Sequence, residues 1–217
     1  MILLPAITAI VAAAFAVVVL RQYAGHHKTY QLMWVIGFVM FAIAAFAGFL
    51  ARSGATDAEY RVFYLFGAIL NVAWLSLGTL YLLVRRRWAN LALGFVVVLS
   101  AIATYAVINS PVDVAAAATS GKGFADSWLP RVLAGVGSGV GTVVLVGGAL
   151  WSAWIFLRKR HNGRRALANV IIAVGVSIVA LGGTATFTGA DLFGLPVLEV
   201  GNLVGLSVIF AGFLLIG

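Results

Sequence analysis

Residues 2–20 read ILLPAITAIVAAAFAVVVL, and the first charged side chain of the protein, Arg21, arrives only after them. An apolar run of about 20 residues is what a bilayer core about 30 Å thick demands of a spanning helix. A secretory signal would carry its basic residues before the apolar stretch rather than behind it. Residues 2–20 therefore read as a first membrane helix whose Arg21 end is held in the cytoplasm. Six further runs follow at 32–51, 62–84, 91–108, 132–157, 167–187 and 195–216. Barrel strands would be about 9 to 11 residues long and would alternate in polarity, which these runs do not. The expected fold is all-α, a polytopic integral membrane bundle of seven helices forming a single domain over residues 1–217.

Composition agrees, because the chain is 63% hydrophobic and only 9% charged, whereas soluble domains carry about 25% charged residues. The net charge of +8 is therefore read as topology rather than as a nucleic-acid footprint. Arg21, Lys28, Arg85, Arg86, Arg87, Arg158, Lys159, Arg160, Arg164 and Arg165 fall in the first, third and fifth connections. The other side holds Arg52, Arg61, Lys122 and Arg131, with all the acids: Asp57, Glu59, Asp113, Asp126, Asp191 and Glu199. By the positive-inside rule the N-terminus lies outside and the C-terminus in the cytoplasm of a plasma (inner) membrane. The clusters Arg85, Arg86, Arg87 and Arg158, Lys159, Arg160 face anionic lipid headgroups on that side. Trp34, Trp88, Trp128, Tyr60 and Tyr30, near span ends, read as an interfacial aromatic belt.

Several chemistries are excluded by what the chain lacks. Without cysteine there are no disulfides, thiolate metal sites or cysteine nucleophiles. The only histidines, His26, His27 and His161, sit among Lys and Arg in connections rather than facing each other across a bundle as haem ligation requires. No nucleophile and base share a span, so no enzyme activity, metal or cofactor is expected, and no nucleic acid among the partners.

Gly67 and Gly78 in the third run recur as Gly201 and Gly212 in the seventh at the same spacing, and Leu20-Arg21 is echoed by Leu157-Arg158. This points to a 3+1+3 parallel repeat, with halves 1–84 and 132–217 joined by the helix at 91–108. In layout only, this resembles the three-plus-one-plus-three design of the sugar-efflux SWEET proteins and the ER retention-signal receptors. Pro5 and Pro130 near helix starts, and Pro111 and Pro196 in or beside connections, do not reproduce the mid-helix prolines of SWEET proteins. Microbial rhodopsins hold retinal on a lysine of the last helix, and 195–216 contains none.

Polar residues inside spans are expensive in lipid and mark interiors or pathways. Gly67, Asn71, Trp74 and Gly78 share one helical face. There Asn71 is read either as an interhelical hydrogen-bond donor or, with Trp74, as the wall of a ligand site. Glu199 and Asn202, three apart, with Thr184 across the connection, form the second candidate site for a ligand, cation or proton. Gly135, Gly137, Gly139 and Gly141 supply two overlapping GxxxG registers for close helix contact, within the bundle, in a homo-oligomer or with a partner membrane protein. Two functions fit: a small-solute transporter or channel lined near Asn71, Trp74, Thr184, Glu199 and Asn202, or a non-transporting seven-helix sensory or accessory subunit that binds a lipophilic ligand or a partner membrane protein.

Overall fold

The computed structural model describes residues 3–54, 56–120, 122–188 and 197–216. These form eight helices and no strand. We label them α1 (Leu3–His26), α2 (Thr29–Gly54), α3 (Asp57–Leu83), α4 (Arg86–Asn109), α5 (Val114–Ser120), α6 (Trp128–Arg158), α7 (Gly163–Thr188) and α8 (Val197–Ile216). All but the short α5 are long and apolar enough to cross a membrane, where a helix satisfies its own backbone.

Local chemistry sets the helix ends. The Glu59 carboxylate accepts the Thr56 N–H at 3.0 Å, so α3 starts at Asp57 rather than at Val62, in the reciprocal arrangement of a capping box. Asn162 Oδ1 accepts the Arg165 N–H at 3.0 Å at the start of α7. The helices α1 and α6 are each followed by a histidine in the left-handed region, His27 at φ 48° and His161 at φ 47°.

Packing follows the small residues. The Gly67 and Gly78 face of α3 lies on Ala44 and Trp34 of α2, and the Gly201 and Gly212 face of α8 lies on Ile178, Gly182 and Ala168 of α7. The helices α3 and α6 run parallel, with Gly137 against Ile69, Gly141 against Val72 and Gly148 against Thr79. Neighbour relations run α1–α2–α3–α6–α7–α8 and close from α8 back to α1, giving a six-helix ring. The α4 helix lies against α3 and the first turns of α6, outside that ring. It is pinned to α3 by Tyr81 Oη donating to Asn90 Oδ1 at 2.8 Å, by Trp74 Nε1 donating to Ser100 Oγ at 3.3 Å, and by Arg61 Nη1 donating to the Val107 and Ile108 carbonyls.

Two apolar clusters fill the protein. One, between α1, α2 and α8, is built on Phe15, Val19, Phe38, Phe41 and Leu206. The other, between α2, α3, α4 and α6, is built on Tyr60, Tyr64, Ile69, Leu77, Val107 and Phe124. Of the aromatics expected in a belt, Trp88 and Trp128 are exposed, whereas Tyr60 is only 3% exposed and Trp34 covers Gly78. A loop folds over Tyr60, and the absence of a side chain at Gly78 opens a slot for the indole.

Candidate functional site

The middle of α3 departs from the regular helical ladder. Over Tyr64–Leu70 it widens to a π-helix, and α6 does the same over Gly135–Val140. The two widened segments pack on each other. Such segments are rare and concentrate at functional positions. Here the Ala68 carbonyl accepts from Ser138 Oγ of α6 at 2.6 Å, and the Val72 N–H donates to Asn71 Oδ1 at 2.6 Å. Ser138 thus ties the widened stretch of α3 to α6, and Asn71 bonds within its own helix. Gly137 makes this possible, since a Cβ there would collide with the Ile69 carbonyl.

Of the residues singled out in the sequence, Asn71 is 3% exposed and acts as an acceptor for its own helix. Trp74 is half-buried and turns to Ser100 of α4, outside the ring. The two residues share a stretch of α3 but serve different neighbours. Glu199, in the first turn of α8, is buried, and Asn202 one turn on is half-buried. Thr184 is exposed, with its hydroxyl donating to the Ala180 carbonyl at 2.9 Å. Ser138 escaped the sequence reading; its signal was a lone hydroxyl inside a run of glycines, GVGSGVG at residues 135–141.

Other hydroxyls in the spans follow the habit of Thr184. Thr8, Ser76, Ser100, Thr104, Ser177 and Ser207 donate to carbonyls of their own helices at 2.7–2.9 Å. This is the usual way a Ser or Thr is tolerated within a helix.

Only one of the two glycine registers on α6 faces the bundle. Gly137 and Gly141 contact α3, while Gly135, Gly139 and Gly147 would accept a Cβ with nothing within 4 Å. At the basic end, Arg85, Arg86, Arg87, Arg158, Lys159 and Arg160 are all exposed. Arg87 lies over the Trp88 ring at 5.5 Å, and Arg160 over Phe156 at 5.6 Å. Among the described residues no three His, Asp or Glu side chains gather where they would hold a metal ion.

Compared with family models, with curated proteins and with solved structures, the chain matches none of them.

Proposed function

We propose that the protein is a small-solute transporter built from two similar three-helix units, α1–α3 and α6–α8, with α4 as the link between them. One observation supports the reading: several helix bounds and glycine contacts of the first unit recur in the second at a constant spacing. The bounds Thr29–Gly54 of α2 recur as Gly163–Thr188 of α7. The left-handed His27 recurs as His161. The contacts Gly67 to Ala44 and Gly78 to Trp34 recur as Gly201 to Ile178 and Gly212 to Ala168. The units then meet at two seams, α3–α6 and α8–α1, and parallel-repeat transporters carry their substrate where the repeats meet.

The apolar side chains packed between α1, α2 and α8, Phe15, Phe38, Phe41, Leu206 and Phe210, favour a small solute that is largely apolar. Glu199 and Asn202, in the first turns of α8, are the polar residues this reading assigns to the solute. The charge distribution orients that end outward and the basic end toward the cytoplasm, with the exposed arginine clusters on anionic headgroups.

A second reading has its own support. The self-satisfied hydroxyls and the filled aromatic interior suit a non-transporting sensory or accessory subunit that holds a lipophilic ligand. Cysteine accessibility separates the two readings, because the protein has no native cysteine. For a transporter, Leu206→Cys and Phe41→Cys in proteoliposomes react with a membrane-impermeant thiol reagent from either side, at rates that change when the other side is blocked. Complete protection of both positions from both sides would leave the non-transporting reading in its place.

A further inference from the structure

Two tyrosines one turn apart on α3, Tyr60 and Tyr64, lie beneath the loop that joins α5 to α6, and their hydroxyls fare differently. The backbone amides of Gly123 and Phe124 meet the Tyr60 phenol. Gly123 comes so close that a Cβ would overlap the Tyr60 ring. The Tyr64 side chain is only 5% exposed, and its hydroxyl is buried without a hydrogen-bond partner. Leaving a buried hydroxyl unpaired is costly, a cost that phenylalanine at this position would avoid.

The group that covers Tyr64 is Phe124, 2% exposed, with its ring at 4.9 Å edge-on to Tyr64 and 5.6 Å from Tyr60. Phe124 supplies the volume of one ring but no acceptor. It belongs to a loop rather than to a span. That loop is held by the Asp113 N–H on the Gly123 carbonyl at 2.9 Å, Arg131 on the Ala125 carbonyl at 2.9 Å and Ser127 Oγ on the Pro111 carbonyl at 3.3 Å. Loops held by a few such bonds open well below the cost of global unfolding.

We propose that the Tyr64 hydroxyl anchors a binding site for a small uncharged lipophile that carries a ring and a carbonyl oxygen, and that this molecule enters by displacing Phe124. The ring takes the volume that Phe124 vacates between Tyr60 and Tyr64, and the carbonyl accepts the Tyr64 O–H. An uncharged ligand is indicated because the walls are aromatic and the nearby cations are engaged. Arg61 donates to Val107 and Ile108, and Arg131 donates to Ala125. The site lies in the cluster shared by α2, α3, α4 and α6 and uses none of the residues of the transport reading, so it is independent of it.

The test uses the full chain in detergent and two probes of the same planar shape, acetophenone and α-methylstyrene, which differ by a carbonyl oxygen in place of a methylene. Binding is followed by saturation-transfer NMR titration. The wild type binds acetophenone about tenfold more tightly, the range of one added hydrogen bond. Tyr64→Phe weakens acetophenone alone and abolishes the preference. Phe124→Ala strengthens both probes and keeps the preference. Equal binding of the probes to the wild type, or a preference that survives Tyr64→Phe, overturns the proposal. So does failure of both probes to bind either the wild type or Phe124→Ala, which would make Phe124 a permanent part of the core.

Discussion

The two seams that close the ring are built on opposite principles. Between α3 and α6, glycines bring backbone to backbone, and the contact is sealed by Ser138 on the Ala68 carbonyl. Between α8 and α1, side chains do the work: Phe15 stacks on Phe38 of α2 at 3.9 Å and meets Phe210 and Phe213 of α8 at 4.7 and 5.1 Å. A backbone contact has no rotamers with which to adapt, whereas ring contacts slide and re-stack. In the proposed transporter the glycine seam is therefore the fixed edge and the aromatic seam the one that opens.

The comparison predicts that the aromatic seam is sensitive to removal and the glycine seam to addition. The largest effect is expected for Phe15→Ala, which empties a fully buried ring site and should cost about 3–5 kcal/mol in an SDS unfolding titration, while Phe15→Leu costs a fraction of that. Equal losses from the two would show that ring packing is not what holds α1 to α8. Next comes Gly137→Ala, whose single added methyl meets the Ile69 carbonyl and should cost about 1–3 kcal/mol by overpacking. A neutral outcome would mean the seam is looser than its geometry.

Smaller still is Ser138→Ala, which leaves the Ala68 carbonyl without its hydroxyl and should cost about 1–2 kcal/mol. Ser138→Thr, which keeps the donor, distinguishes lost bonding from changed packing. The smallest change is Gly139→Ala. It adds the same methyl two residues on, on the opposite face and into open space, and should be neutral or stabilise by up to about 1 kcal/mol through helix propensity. Destabilisation comparable to Gly137→Ala would place a packing partner on that face and end the distinction between the two registers.

Apolar runs made the helices legible because bilayer thickness imposes span length directly on composition. Their ends were less so. The span expected to end at residue 20 continues to His26, since Arg21, Gln22 and Tyr23 extend the helix until His27 leaves it. Hydropathy also says nothing of α5 or of the loop carrying Phe124, whose burial depends on Tyr60 and Tyr64 from another part of the chain. Asn71 was legible as a buried polar residue but not in its role. Its side chain accepts from the adjacent amide because α3 widens there, and the widening is stabilised by Ser138, which lies 70 residues from Ala68 in sequence.

That separation has a consequence in time. At a synthesis rate of about 5–20 residues per second, Ser138 follows Ala68 out of the ribosome by roughly 4 to 14 s, after α4 has been made. The Ser138 bond that ties the widened stretch of α3 to α6 is therefore a late product of assembly, completed only when α6 arrives. The Val72 N–H bond to Asn71 has no such delay, because Asn71 precedes Val72 by a single residue.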